Sequence, residues 1–424
     1  MNSGARVVIV GGGAVGLAAA YYLQREGAEV VVLDRGYVGD EASRGNAGWI
    51  TPMLSAPIPA PGVRRYAVQA IGRPDSPVFI PPRADLGLAR WLWRFWKACN
   101  PRDYHAGLAA LAALNARTMP LFDELVRDDV QFSMWKKGLL FAFTSESSAQ
   151  HELETLQQLA PFGYDVPTDL LDAAGMSRLE PTLSSRVAAG FLLADERHVD
   201  PQTLTRGLAE RLLEGKATIR EGLEVTDLEI RGGRVVAALA GGERIEADQV
   251  LLAAGAWTEP LARKLGVDVP VQGAKGYSFS LRLEHPPSHP LYLGDSKIGV
   301  SAFDDGRTRV AGTLELSGLN TRIDQRRVES IHRQAQEFLG APAAGPIEDV
   351  WAGMRPLTYD GLPVVGRSNH YENVFVSTGH SMLGITLAPA TGEAVAELML
   401  TGRTPEVLQP FSPARFQRSR RSRT

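Results

Sequence analysis

The chain has 424 residues and a single cysteine, Cys99. One thiol excludes an internal disulfide, a CxxC redox pair and a cysteine-based zinc site. Neither sign of charge is in excess: 45 Lys and Arg against 48 Asp and Glu leave a net charge of −3. Such a balance exerts no general pull on nucleic acid or an anionic membrane. No apolar run reaches the roughly 18 residues a membrane span needs. MNSGARVVIV passes straight into a strand, with no secretory h-region behind a basic segment. The expectation is a soluble cytoplasmic protein with no nucleic-acid partner. No metal is expected either. His285 and His289 lie in HPPSHP, whose prolines forbid the helical face that i, i+4 ligands need.

What is present begins at the N-terminus. Arg6–Val10 is a continuous apolar run, as for a strand buried on both faces of a parallel sheet. Gly11, Gly13 and Gly16 break it as GxGxxG, Leu17–Glu26 reads as a helix closed by Gly27, and EVVVLD (Glu29–Asp34) is a second buried strand. The first glycine allows a tight turn, the second lets backbone approach a pyrophosphate, and the third lets helix pack on strand. The helix N-terminus supplies free N–H groups to phosphate, and Asp34 stands where an acid accepts from a ribose hydroxyl. A dinucleotide site follows. FAD is favoured over NAD because a further apolar strand ending in small residues, QVLLAAGAW (Gln249–Trp257), returns over 200 residues later, as in a large fold with an inserted domain. EASRGNAGWITP (Glu41–Pro52) is small and polar enough for backbone to pass close to a flat ring system, or is a plain surface loop.

Further along, Asn46–Gly87 is rich in proline and glycine and reads as irregular, whereas Leu88–Arg127 and Ser147–Ala160 read as helical. Asp200 caps a helix with Pro201 in its first turn and Leu204, Leu208 and Leu212 on one face. Alternating β patterns follow at Tyr277–Leu283, Ile298–Phe303 and Thr308–Leu316, then helices at Arg326–Leu339 and Leu387–Thr401. The interleaving implies two domains in discontinuous pieces: 1–87, 195–270 and 350–424 for the nucleotide, 88–194 and 271–349 for the substrate. LARWLWRFWKACN (Leu88–Asn100) puts Leu88, Trp91, Leu92, Phe95 and Cys99 on one helical face, Trp96 beside it, and Arg90, Arg94 and Lys97 opposite. That face either packs on its own domain or lies in a membrane interface. The tail ARFQRSRRSRT reads as a solvated end, or as a weak anchor for an anionic surface.

WAGMRPLTYDGLPVVG (Trp351–Gly366) sets Arg355, a permanent cation, among apolar residues. Buried unpaired it would cost several kcal/mol, so either a carboxylate meets it, from the protein or from a ligand, or the segment is exposed. The residues alone leave these readings open.

Taken together these motifs resemble the FAD-dependent D-amino acid oxidase/dehydrogenase family, most closely the bacterial D-amino acid dehydrogenases, with glycine oxidase-like motifs near the C-terminus. The similarity is carried by VVIVGGGAVGLAAAYYL, SRGNAG, TPMLSAPIPAPG, DERHVDP, VLLAAGAW, AKGYSFSL, WAGMRPLTYDGLPVVG and STGHSMLGITLAPATG, in that order. It covers most of the chain and is thinnest over about 100–190. It implies an α/β fold: a Rossmann-type FAD-binding domain of the glutathione-reductase/D-amino acid oxidase kind, and an interleaved α+β substrate domain built on an antiparallel sheet. By the resemblance, Gly11, Gly13, Ala14, Val15, Gly16, Asp34 and Arg35 hold the ADP half of FAD; many relatives carry glutamate in place of Asp34. Ser43, Asn46, Ala47, Gly48 and Ile50 lie near the pyrophosphate and flavin, and Val225 contacts the adenine half. Ala254, Gly255 and Trp257 pass beside the cofactor, and Gly353, Gly379, His380, Met382, Leu383 and Gly384 approach the flavin ring. Arg355 takes the substrate carboxylate, whose two-point contact fixes which Cα–H faces the flavin. Tyr277, Tyr292 and His380 are further candidates for the catalytic pocket.

The implied reaction is oxidative deamination of a D-amino acid by hydride transfer to flavin N5, with a quinone or other acceptor taking the electrons. Alternatives are a secondary or cyclic amine substrate (D-proline, hydroxyproline, glycine, sarcosine or an opine), or a non-catalytic protein using the FAD fold to bind.

Overall fold

The structure is a computed structural model that describes residues 4–64, 76–81, 84–340 and 345–417. Six strands form one sheet in the order Thr218–Arg220, Glu29–Leu33, Arg6–Val10, Gln249–Leu252, Val374–Thr378, Val364–Arg367, parallel except for the last. The unbroken apolar runs of the central strands are covered on both faces. On one side lie the helices Ala14–Arg25, Pro201–Glu214 and Gly384–Thr401. Gly392 lets two of them approach closely, since a Cβ there would meet the Ala18 carbonyl carbon at 2.7 Å. On the other side lies a three-stranded antiparallel sheet, Val225–Arg231, Arg234–Ala240 and Glu243–Glu246, whose Leu228, Val235 and Ala238 pack toward Val8 and Val31.

The second body is a nine-stranded sheet. From its edge strand Glu348–Thr358 it passes through Val271–Leu281, Thr308–Glu315, Ile298–Ala302 and Leu291–Leu293 to Leu139–Phe143, Ala189–Leu193 and Leu171–Asp172. Val78–Phe79 pairs with Thr308–Glu315. It is antiparallel apart from two parallel pairings, that one and Leu291–Leu293 on Leu139–Phe143. Glu348–Thr358 runs unbroken across the division expected at 349/350, paired along its length with Val271–Leu281. The helix Gln325–Gln336 lays Val328, Ile331 and Ala335 on this sheet.

The long helical stretch is three helices, Leu86–Ala98, Pro101–Asn115 and Thr118–Arg127. The first break falls where Asn100 caps the second helix, accepting from Asp103 N at 3.1 Å, and Pro101 cannot continue the first. The region expected to be irregular contains two short strands, Trp49–Ile50 and Val78–Phe79. The apolar face of Leu86–Ala98 packs on its own protein: Leu88 and Trp91 are buried against Ala274, Leu316 and Leu357, and Trp91 Nε1 donates to Pro270 O at 3.0 Å. Trp93 and Trp96 remain exposed on the outside. In the basic tail, Arg415 is tied down rather than solvated, with Nε 2.8 Å from Asp360 Oδ2. Arg418, Arg420, Arg421 and Arg423 lie outside the described residues. Among those described, no helix is long and apolar enough to cross a membrane, and no group of three or more His, Cys, Asp or Glu could hold a metal ion.

Candidate active site

A cavity opens at the carboxyl ends of the central parallel strands, at Val10, Leu33 and Ala253, and extends to Trp351 and Arg355 on the edge of the nine-stranded sheet. Its first end is built of main chain. Gly11 has φ +110, and a Cβ there would sit 2.5 Å from Ala253 O; one on Gly16 would sit 2.0 Å from Gly11 O. Gly13 precedes the helix Ala14–Arg25 with no side-chain cap of its own, and Ser43 Oγ takes only Ala14 N, at 3.0 Å. Gly13, Ala14 and Val15 of that turn line the cavity, so the helix N-terminus opens on it, as anion binding requires. Asp34 accepts from Gly12 N at 2.7 Å and Gly36 N at 2.8 Å, so it also holds the turn together. The Arg35 guanidinium lies 3.7 Å over the Trp257 ring and pairs with Glu41, forming one wall with Val225.

The middle is the segment 43–48. Asn46 Oδ1 accepts from Gly48 N at 2.8 Å, and Asn46 Nδ2 reaches Met382 O at 3.5 Å. Gly48, at φ +81, lies so close to Val199 O that a Cβ would be 2.0 Å from it. Across the cavity His380 is fully buried beside Thr391 Oγ1 at 3.2 Å. Burial pushes its imidazole down to about 3, which keeps it neutral. Ser377 and Ser381 line the same wall with buried hydroxyls that have no partner among the described residues, and Ser381 adopts φ +54. These are groups left for a polar ligand.

The far end is built of side chains. Trp351, Gly353 and Arg355 follow the two-residue period along one face of their strand. Gly353 makes room for its neighbour: a Cβ there would lie 1.9 Å from the Trp351 indole, and so would one on Gly45. Arg355 Nη1 donates to Thr313 O at 2.5 Å. That carbonyl is presented by a bulge, where Thr313, at φ +64, and Leu314 face Gly276 between the pairs Tyr277↔Gly312 and Lys275↔Glu315. A Cβ on Gly276 would collide with Nη1 at 2.0 Å. Among the described residues no carboxylate meets the guanidinium, and burial pushes its pKa down to about 10.

Of the residues expected at the site, Gly11, Gly13, Ala14, Val15, Asp34, Arg35, Ser43, Asn46, Val225, Ala254, Gly255, Trp257, Arg355, His380 and Gly384 line this one cavity. Gly16, Ala47, Gly48, Ile50, Gly353, Gly379, Met382 and Leu383 stand behind or beside its walls. Tyr277 is fully buried in the core of the second body, its hydroxyl donating 2.9 Å to Glu315, which also pairs with Lys275 at 2.9 Å. Tyr292 packs edge-on against Trp49 and Phe141. Neither tyrosine lines the cavity. Trp351 was legible from its spacing to Arg355; Thr313 and Ser381 owe their places to backbone conformations no local motif announces.

Can this cavity take FAD? Two glycines without room for a Cβ, an open helix N-terminus and orphan hydroxyls along the opposite wall fit a pyrophosphate-linked dinucleotide. A family profile, DAO, described as FAD dependent oxidoreductase, matches residues 6–398. The chain belongs to this family. Like other members of the DAO family it is a flavoprotein oxidoreductase with FAD as cofactor. It is 33% identical over 422 residues to a D-amino acid dehydrogenase of Methylobacterium nodulans, covering 97% of this chain and 99% of that one. Its fold is similar to glycine oxidase from Geobacillus kaustophilus, with TM-score 0.77 and 22% identity over 98% and 100% of the two chains. It is also similar to L-proline dehydrogenase from P. horikoshii, with TM-score 0.73 and 19% identity over 98% of each.

Proposed function

We propose that this DAO-family flavoenzyme oxidatively deaminates a D-amino acid to a 2-oxo acid and ammonia, passing electrons to a quinone or another acceptor. One observation carries the reading: Arg355 is a part-buried guanidinium lining the FAD cavity, held by a single backbone carbonyl and met by no carboxylate of the described protein. A carboxylate brought by the substrate completes it, and a planar fork fixes that group in two dimensions. When bound, FAD supplies the hydride acceptor.

The chain's own residues do the rest. Arg355 holds the carboxylate and so sets which hydrogen of Cα faces the flavin. Trp351 and Met354 wall the same end against water. His380, neutral and buried, places no competing cation there. The substrate enters with its amine neutral and its Cα hydrogen leaves as hydride, so no residue need act as a general base. Gly11–Gly16, Asp34, Ser43–Gly48, Val225, Ala254–Trp257 and Gly379–Gly384 hold the cofactor; 88–194 and 271–349 form the substrate domain around it. The electron acceptor docks from the membrane side through Trp93, Trp96 and Leu86, all exposed on the helix that also carries Arg90 and Lys97.

An anaerobic substrate panel tests the reading. Bleaching of the yellow protein by D-amino acids supports it. Bleaching only by glycine, sarcosine, proline or an opine replaces it with amine oxidation. No bleaching by any of these overturns it. Failure to sediment with anionic vesicles removes the membrane-side acceptor.

A further inference from the structure

Arg309 is 1% exposed and does not touch the cavity. Its Nη1 donates to Arg44 O at 2.6 Å and to Asn46 O at 3.2 Å. Its nearest carboxylate, Asp349, is 3.8 Å away and already accepts from Arg44 Nη2 at 2.8 Å. Its neighbour on the same face, Arg307, is held by Asp200 at 2.8 Å. The buried cation therefore spends its hydrogen bonds on main chain. Two further contacts pull the segment the same way: Ser301 Oγ donates to Ala47 O at 2.8 Å, and Val199 N to Gly48 O at 2.8 Å.

The peptide bond converts this into a statement about the cavity. In a trans peptide the carbonyl and the following N–H point in opposite directions. Pinning the carbonyls of Arg44 and Asn46 behind the wall turns the N–H groups of Gly45 and Ala47 forward, on the side where Gly45 and Asn46 line the cavity. Successive N–H groups converging on one place form a site for an anion or an electron-rich edge.

We propose that Arg309 is a positioning residue for the cofactor: by holding two carbonyls of segment 44–46 it aims the Gly45 and Ala47 N–H groups at the flavin and so favours its reduced, more negative state. This rests on the reading that segment 43–48 faces the flavin ring. FAD affinity, measured by fluorescence quenching, and the flavin midpoint potential, measured with dithionite and a reference dye, test it without any amino acid. In R309M we expect FAD binding weakened about tenfold or more and a more negative midpoint. R309K keeps a cation but lacks the fork, and should fall between R309M and wild type in both. If R309M does not fold, R309K alone decides. Wild-type affinity and potential in the variants, even with a lowered melting temperature, would overturn the proposal, as would a wild-type protein that takes up no FAD. If no amino acid bleaches the flavin yet the potential shifts, the substrate reading falls and this one stands.

Discussion

The two ends of the cavity use opposite materials. At the nucleotide end the contacts come from main chain, with glycine where backbone must approach backbone and Asp34 bracing the turn. At the far end they come from side chains, and the central one, Arg355, rests on a single carbonyl supplied by a bulge. A main-chain site recognises what is common to every cofactor molecule and tolerates little change. A side-chain site can be altered one residue at a time, so specificity belongs there.

The sharpest break between the ends is Arg355→Ala. It should lower kcat/KM by roughly 10²- to 10³-fold, the loss expected when one partner of a buried charge contact is removed. FAD affinity should be unchanged. A parallel fall in FAD binding would erase the distinction.

The second prediction concerns what braces the second body. Glu180 is 1% exposed and accepts from Ser288 N at 2.8 Å, His289 N at 3.0 Å and Thr182 Oγ1 at 2.7 Å. Burial alone would raise its pKa, but the hydrogen bonds from His289, Ser288 and Thr182 outweigh it and hold the carboxyl down at about 2. A depressed folded pKa gives stability that is complete above the unfolded value and is lost as pH falls from there toward 2. Glu180→Gln should therefore cost about 3 kcal/mol at neutral pH and flatten the acid limb of urea unfolding. An acid limb as steep as that of wild type would contradict it.

Gly16→Ala probes the nucleotide end. Its Cβ meets Gly11 O, an overpacking worth about 1–3 kcal/mol, so bound FAD should fall in the 450 nm band while Arg355 keeps its place. The smallest effect is expected at His380. Because burial holds it near 3, His380→Asn should leave the pH profile of kcat/KM between about 5.5 and 7.5 without a lost inflection. A wild-type inflection there that vanishes in the variant would mean the ring does titrate.

The same contrast explains what could be read from sequence. The nucleotide end is local: three glycines, a helix and an acid lie within 34 residues, and period and turn chemistry suffice. Even so, the second duty of Asp34, bracing the turn through Gly12 and Gly36, was not legible. At the far end the alternation of Val271–Leu281 separates Gly276 from Tyr277 but does not say which faces the cofactor, and Tyr277 faces the core. Arg309 contacts residues 265 positions away, a distance at which no motif operates. The basic face of the tryptophan helix was legible, but its apolar face is spent on Pro270 and Ala274.

The strand Glu348–Thr358 carries Arg355 and, after the turn at 359–363, the chain enters Val364–Arg367 of the six-stranded sheet. Cation and nucleotide platform are thus joined by a short run of continuous chain rather than by docking. Beyond its pairing with Val271–Leu281 and the bulge at Thr313, the second body can be recut, lengthened or exchanged while Arg355 keeps its distance from the nucleotide end. Within that strand the freedom vanishes: one inserted residue between Gly353 and Arg355 would turn the guanidinium through the sheet to its opposite face.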